Sequence, residues 1–362
     1  MKSIFEPSKE ELISFLAESG IKSYRANQLW RALYKDLCPS FDEMNTLPID
    51  LRNHMKHNYN FGQLSLVIKK TSKDKSTDKY LWRLSDNKLI ETVLMRYDDD
   101  GHRRKRRTVC ISSQVGCALD CKFCATGQQG FSRQLSIAEI VSQVVNIKRE
   151  LKAEEDHEKK EDYSLNVVFM GMGEPLANYS RTIASAMRLN DSSGLGIGAR
   201  NITISTVGLV PKILQLAAEP IQLNLAVSIH APDNETRSET VPINETYPIE
   251  DLISACKIYI EKTNRKIFFE YVLLEGQNDT ETHANKLALL LKPLLCHLNL
   301  IPVNPTANSS YKKSRSDRIK KFRRIIKNQG IASTIRMEKG IDINAGCGQL
   351  KSEYLEMSGI GE

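Results

Sequence analysis

Hydrophobic and polar positions change period along this chain. Residues 1–60 carry apolar side chains at helical spacing. Ser8-Lys9-Glu10-Glu11 has the form of a capping box and leads into Leu12, Phe15 and Leu16, predicting a first helix. Tyr24 to Tyr34 predicts a second, mixing aromatic and basic residues. The pattern then turns to β: Leu64–Lys69, Thr77–Leu84 and Leu89–Tyr97 read as three strands, with a Ser85-Asp86-Asn87 turn between the last two. From Thr108 onward strands alternate with helices. Strands are expected at 108–112, 166–170, 202–206, 223–229, 267–274 and 297–301, and helices at about 136–152, 180–189, 211–218, 249–262 and 281–292. A basic helix (317–328) and a strand (332–336) precede a loop that contains Cys347.

Six βα units in a row define an α/β protein with a parallel sheet and helices outside. Two architectures satisfy that order, an open doubly wound sheet and a partial barrel. In a barrel the chemistry gathers at the carboxyl ends of the strands. That draws attention to Gln114–Cys124, Gly171–Pro175, Thr206–Gly208 and His230. The expected organisation is a helical unit over 1–60, a β-rich connecting segment over 61–107, the βα array over 108–305 and a C-terminal extension over 306–362. The mixed-charge stretch Glu154–Asp162 reads as a solvated loop at a helix end. There is no internal repeat and no low-complexity segment.

Composition narrows the class without naming a function. At 362 residues, with 41% hydrophobic and 26% charged residues, the chain is neither disordered, collagenous nor coiled coil. No apolar run approaches the ~18 residues of a membrane span, and Met1–Pro7 is not a signal peptide. A cytoplasmic, reducing environment with no membrane partner is therefore expected. The net charge of +7 is uneven. His102 to Arg107 holds five positive charges, and Lys312 to Lys327 holds nine Lys or Arg against one acid, Asp317, leaving the rest of the chain net negative. Local basicity of this kind suits a phosphate backbone.

Eight cysteines lie at 38, 110, 117, 121, 124, 256, 296 and 347. Cys117-Ala118-Leu119-Asp120-Cys121-Lys122-Phe123-Cys124 is a C-x3-C-x2-C arrangement just after the first strand of the βα array. Three thiolates so close can bind zinc or hold three irons of a [4Fe-4S] cluster. Structural zinc wants four ligands, and no fourth Cys or His stands at conventional spacing. A non-catalytic zinc-containing RNA-binding protein is nevertheless an alternative from a different class. A cluster held by three cysteines leaves one iron open to chelation by the amino and carboxylate groups of S-adenosylmethionine (SAM).

This cysteine spacing is that of the radical-SAM superfamily, and Phe169-Met170-Gly171-Met172-Gly173-Glu174-Pro175 resembles its glycine-glycine-glutamate element. The likeness is closer still. Cys110-Ile111-Ser112-Ser113-Gln114-Val115-Gly116-Cys117 through Gly127, Gly130-Phe131-Ser132-Arg133, Gly171–Leu176, Ser228-Ile229-His230-Ala231-Pro232, Asn299–Pro305 and Cys347-Gly348-Gln349-Leu350 together resemble the RlmN family of RNA adenine methyltransferases. Tyr24-Arg25-Ala26 with Gln28, and Ile90-Glu91-Thr92-Val93-Leu94, also fit, so the resemblance runs from about residue 20 to 351.

The resemblance implies a radical-SAM partial (βα)6 TIM-like barrel with an N-terminal helical RNA-contact domain and a C-terminal extension carrying a methylated cysteine. It implies methylation of carbon-2 of an adenosine in 23S rRNA at the peptidyl transferase centre, and in tRNA next to the anticodon. The target C–H is neither acidic nor nucleophilic enough for ordinary methyl transfer. In the RlmN family that this sequence resembles, one SAM instead methylates a protein cysteine, and a second supplies a 5′-deoxyadenosyl radical that abstracts hydrogen from the methylthio group. The carbon radical adds to the base, and a second cysteine releases the product by forming a disulfide. By the same carry-over Cys117, Cys121 and Cys124 are the cluster ligands, Cys347 the methyl carrier, Cys110 the resolving cysteine and Glu91 the proton acceptor. SAM contacts are expected from Gly173, Glu174, Pro175, Ser205, Ser228, Ile229, His230 and Asn304. Taken alone, Cys110 reads as a small apolar strand residue, Glu91 as a surface charge and His230 as a structural histidine. Cys38, Cys256 and Cys296 read as packing cysteines. A flavodoxin or ferredoxin as electron donor and a monomeric state also follow from the resemblance.

Two departures bear on the target atom. Lys339 precedes the glycine of Gly340-Ile341-Asp342-Ile343, a run that also resembles the sister Cfr family of carbon-8 methyltransferases, and Gly346 stands where alanine is common. Glu174-Pro175-Leu176, Tyr311-Lys312-Lys313-Ser314, Arg318-Ile319 and Phe322 fit the carbon-2 enzymes better. Carbon-2 is the expectation, with carbon-8 the alternative.

Overall fold

The computed structural model describes residues 1–62, 64–99, 101, 104–157, 163–304, 310–336 and 339–350, with the side chains of 155–157 left out. Helices at Lys9–Glu18, Tyr24–Tyr34 and Ile49–Asn58 form the N-terminal unit, closed by a short parallel ribbon of β1 (Lys2–Ser3) and β2 (Tyr59–Asn60). The capping box is present: Ser8 Oγ accepts from Glu11 N, and the Glu11 carboxylate accepts from Ser8 N. Phe5, Trp30 and Tyr34 carry this unit onto the rest of the protein. Trp30 Nε1 donates to Asp191 at 2.7 Å, and Arg149 donates to the carbonyls of Leu37 and Cys38.

β3 (Ser65–Thr71), β4 (Thr77–Arg83), β5 (Leu89–Tyr97) and β6 (Arg106–Cys110) are followed by a hairpin of β7 (Gln114–Gly116) and β8 (Phe131–Gln134). The parallel array continues with β9 (Ser164–Phe169), β10 (Ile202–Thr206), β11 (Asn224–Ser228), β12 (Ile267–Leu273), β13 (Cys296–Pro302) and β14 (Ser333–Ile335). All but the first two strands and the hairpin join one ten-stranded sheet, in the order β14-β13-β12-β11-β10-β9-β6-β5-β4-β3. From β6 to β14 every pairing is parallel. β5, β4 and β3 extend the β6 edge antiparallel, so the segment before Thr108 is continuous with the βα sheet.

The strand order decides between the two architectures. A doubly wound sheet reverses direction at a switch point, which puts helices on both faces. Here the parallel strands follow chain order without reversal. Right-handed crossovers then place every helix on the same side, and the sheet curls into a partial barrel whose edges, β14 and β3, do not meet.

Period-2 alternation divides each strand between the two sides. Ile202, Ile204, Leu225, Val227, Phe269, Tyr271, Leu298 and Leu300 face the main core beneath the helices. Val207, Val272, Ile301 and Val303 face inward and pack with Phe123 in a smaller cluster. Arg237 braces the floor of this interior. It is fully buried and donates to the carbonyls of Ile229 at 3.1 Å and Val207 at 2.5 Å, and to Asn244 Oδ1 at 2.9 Å.

Two expectations change. The helix Ile137–His157 continues into the acidic stretch, and Glu154 pairs with Arg96 at 2.8 Å rather than lying in a solvated loop; residues 158–162 fall outside the described residues. The β7/β8 hairpin was hidden by the cysteines and glycines around it. Its close approach requires glycine: a Cβ on Gly116 would sit 1.9 Å from Gly130 O.

Replacing Arg237 by Ala orphans several buried acceptors at once, each costing about 1–3 kcal/mol. Urea unfolding of Arg237→Ala should show a midpoint lowered by roughly 3 kcal/mol or more, with the m-value unchanged. A loss below about 1 kcal/mol would contradict this bracing role.

Candidate active site

The carboxyl ends of β6 and β9–β13 open into two adjoining cavities. The first is lined by Cys117, Cys121, Cys124, Gly173, Glu174, Pro175, Ser205, Ser228, His230, Glu270, Asn304, Arg336 and Cys347, among others. The second shares Cys124, Asn304, Arg336 and Cys347 and adds Cys110, Val93, Met95, Tyr97 and Lys339. Residues spread over more than two hundred positions thus face one space.

The cysteine loop hangs from the hairpin. Cys117 N donates to Gly130 O at 2.9 Å, Lys122 N to Thr240 O at 3.0 Å and Ala125 N to Gly348 O at 2.8 Å. Gly127 lies so close to the turn that a Cβ there would meet Cys121 N at 3.0 Å. Burial pushes all three thiols up, Cys117 to about 12, and neighbouring thiolates add to the effect at Cys117 and Cys121. A cationic metal centre is what such a donor set needs in order to ionise. All three line the first cavity together with Glu174, so a metal centre held by them would face that space.

Glu174 sits at the turn after β9. Its own N–H donates to Gln114 Oε1 at 2.7 Å, and its carboxylate accepts from Leu176 N at 3.0 Å and Val207 N at 2.9 Å. Burial raises its carboxyl to about 7, so an ammonium group brought beside it favours its ionised form. Gly173 has φ +95°, and a Cβ there would strike the Gln114 side chain at 2.4 Å.

His230 is held by Val272 N, which donates to its Nδ1 at 3.1 Å. Burial first, and Arg237 second, lower its pKa to about 3. The imidazole is therefore neutral with its proton on Nε2, a donor beside Phe123. Alternation places Ser228 and His230 on the cavity wall. Ile229 turns into the core with its N–H donated to Glu270 O and its carbonyl accepting from Arg237. Of the expected SAM-contact residues, Ile229 is the one whose side chain the fold turns away.

Cys110 is buried and Cys347 exposed, and both line the second cavity. Burial, then the facing Cys347, raises the Cys110 thiol to about 12. Glu91 lines neither cavity. It lies two residues from Val93 on the same face of β5, buried in an ion pair with Lys79 at 3.0 Å, and is not a surface charge. Lys79 Nζ also donates to Asn344 O in the Cys347 loop. Cys38, Cys256 and Cys296 stand away from both cavities.

Sequence reasoning did not assign Arg336 and Glu270. Arg336 Nη1 stands 3.6 Å from Glu270 Oε2, 3.9 Å from Met170 Sδ and 4.0 Å from Cys347 Sγ, at the divide between the cavities. Glu270 raises the Arg336 pKa above its ordinary value. An ionisable residue inside an otherwise apolar strand, such as Glu270, was the available signal.

The basic runs separate in space. Arg106 stacks over Tyr97 at 4.1 Å beside Lys339 at 4.7 Å, at the rim of the second cavity, whereas Arg107 is buried against Tyr163; His102 and Arg103 lie outside the described residues. The helix Ser316–Asn328 joins two parallel strands, so it runs back down the outside of the barrel, away from the cavities. Arg318 there pairs with Asp279 and Lys321 with Glu281.

A three-cysteine loop at the mouth of a partial barrel, beside a buried glycine-glutamate turn, defines a radical-SAM protein, and residues 111–287 match the Radical SAM superfamily. Residues 3–60 match the ribosomal RNA large subunit methyltransferase N-terminal domain. The chain is 43% identical to a probable dual-specificity RNA methyltransferase RlmN of Clostridium tetani, covering 98% of this chain and 97% of that one. It is 44% identical to the Staphylococcus aureus protein of the same description, over 97% and 93%. A solved radical SAM methyltransferase from Sphaerobacter thermophilus superposes with TM-score 0.92 at 43% identity, covering 98% of this chain and 100% of that one. The chain belongs to the RlmN family of radical-SAM dual-specificity RNA methyltransferases. Among the described residues no helix is long and apolar enough to cross a membrane.

The burial contrast predicts thiol reactivity. In the native reduced protein, alkylation should reach Cys347 at least ~10-fold faster than Cys110. Cys110, a thiol until about pH 12, should stay slow up to pH 9. Peptide mass mapping over time checks both; equal rates would contradict the arrangement.

Proposed function

We propose that this protein methylates carbon-2 of an adenosine in 23S rRNA, and also in tRNA, through a methylated Cys347. The observation that supports it most is the convergence of Cys347, Cys110 and the three-cysteine loop on adjoining cavities. Whole-length identity of 41–44% to relatives described as dual-specificity RNA methyltransferases agrees with that reading.

Cys117, Cys121 and Cys124 would hold a [4Fe-4S] cluster, and Gly173, Glu174, Pro175, Ser205, Ser228, His230 and Asn304 would hold SAM in the first cavity, with Ile229 contributing through its place in the strand. Bound there, cluster and SAM supply one-electron cleavage of a sulfonium C–S bond, given a flavodoxin- or ferredoxin-class reductant. The protein's own groups do the rest. The buried carboxylate of Glu174 receives the methionine ammonium. Neutral His230 offers a donor without placing a second cation beside the sulfonium. Cys347 carries the methyl group at the divide between the cavities, where the second cavity can take an unpaired base. Its apolar walls, Val93, Met95 and Ile301, exclude water from the carbon radical.

Glu91 would accept the ring proton once the new carbon–carbon bond exists; its nearness to the cavity-lining Val93, two residues on along β5, supports that role. The adduct would also have to give up one electron, back to the oxidised cluster. Cys110 would then attack Cys347 sulfur, so that the S–S bond forms, the S–CH2 bond breaks, and the methylene takes up the proton released by the Cys110 thiol to become the product methyl group. A high thiol pKa suits a resolving group that stays protonated until this last step. The enzyme is proposed to act as a monomer.

The decisive measurement incubates anaerobically reconstituted enzyme with methyl-labelled SAM, reductant and separate rRNA and tRNA, followed by mass spectrometry of the digested nucleosides. 2-Methyladenosine is expected. Product found only as 8-methyladenosine would move the assignment to the carbon-8 chemistry. One retained zinc with no SAM cleavage would refute the enzyme altogether. Cys347→Ala should still cleave SAM but transfer no methyl. Cys110→Ala should accumulate a covalent RNA adduct at Cys347, and free methylated product from that variant would remove Cys110 from its role.

A further inference from the structure

Asn304 follows β13 and forms part of the wall common to both cavities. Its Nδ2 donates to the carbonyl oxygen of Cys347 at 3.1 Å. A carbonyl can only accept, so the amide orientation is determined and Oδ1 must point the other way. That oxygen has no hydrogen-bond partner, although Asn304 is only 6% exposed. A buried amide oxygen left in this state calls for a donor. A hydroxyl or amino group of a nucleoside in the cavity would satisfy it.

The loop that Asn304 grips is tied at two further points. Gly346 N donates to Gln349 Oε1 at 3.0 Å, and Gly348 O accepts from Ala125 N in the cysteine loop at 2.8 Å. The structure gives Gly346 a reason to be glycine. A Cβ on Gly346 would lie 2.6 Å from Asn304 Nδ2 and 2.7 Å from Gln349 Oε1. With any larger residue the ends of the Asn304 and Gln349 side chains must shift, and Nδ2 is one of the atoms displaced.

We infer that Asn304 is a positioning residue that couples nucleoside binding in the first cavity to the placement of the Cys347 loop, and that Gly346 is what permits the coupling. The inference rests on the SAM-dependent reading above. A donor on Oδ1 holds the amide in the one orientation that keeps Nδ2 on the loop. Without it the single bond from Nδ2 to the Cys347 carbonyl is all that fixes the amide, and the loop is held more weakly. Coupling of this kind is reciprocal: a loop that is held also strengthens nucleoside binding by the same factor.

The test is hydrogen–deuterium exchange of the amides of Ala345, Gly346 and Gln349 in the anaerobically reconstituted enzyme, with and without SAM, alongside equilibrium dialysis of labelled SAM. Asn304→Asp keeps the Oδ1 acceptor and replaces the donor facing the Cys347 carbonyl with a second acceptor. Gly346→Ala leaves Asn304 in place and blocks its approach. In the unsubstituted enzyme SAM should slow exchange at these amides ~10-fold, within the usual range of coupling. Both variants should lose that protection, and their SAM affinity should fall by about the same factor as the protection lost. Cys347 methylation, read as the mass of its peptide, should slow in parallel. SAM-dependent protection that survives both variants would overturn the coupling while leaving the parent function intact. Failure of SAM to bind the unsubstituted enzyme would overturn the parent reading, and this one with it.

Discussion

Parallel pairing of the strands in chain order is the constraint on which everything else depends. Because β6 and β9 to β14 never reverse their order, each crossover adds its helix to the same side. The helix-facing residues bury into one core, and the inward positions of each strand are left to line a common interior. The carboxyl ends then converge, so that Cys110, Ser205, Ser228, Glu270 and Asn304 face one space from separate strands. A sheet with a switch point would have spread the same residues along a crevice.

Within that frame, backbone hydrogen bonds hold the reactive groups in place. The cysteine loop is anchored by the hairpin beneath it and meets the Cys347 loop through Ala125 and Gly348. Glu174 is held by the two N–H groups it accepts from and by the Gln114 amide. Arg237 fastens the ends of β10 and β11 with a side chain that never sees solvent. These polar groups are buried and paired, which makes the site stiff where a ligand must meet defined geometry.

The cysteines show how one residue type takes different roles through environment alone. Cys256 is fully buried on the helix Ile249–Thr263, while Cys38 and Cys296 make long contacts to the carbonyls of Glu43 and Leu291. Cys110 is as hidden as a packing residue but faces the cavity that Cys347 enters. The thiols of Cys117, Cys121 and Cys124 are raised chiefly by burial, and a cationic centre would favour their ionised form.

Strand and helix order, the capping box, the cysteine spacing and the family were legible in the sequence, because local periodicity and short motifs carry that information. Alternation could also have shown that Ile229, between Ser228 and His230, turns away from the cavity into the core beneath the helices. The β7/β8 hairpin was not legible, since glycines and cysteines mask strand periodicity. The ion pairs of Glu91 with Lys79 and of Arg336 with Glu270 join residues from different elements, and the grip of Asn304 on Cys347 spans 43 positions. The basic helix Ser316–Asn328 precedes the Cys347 loop in sequence yet descends the outside of the barrel. The sequence by itself determined which elements form and which chemical groups are available. Only the tertiary structure decided which of those groups share a cavity, because convergence depends on strand order and curvature, which no local pattern encodes.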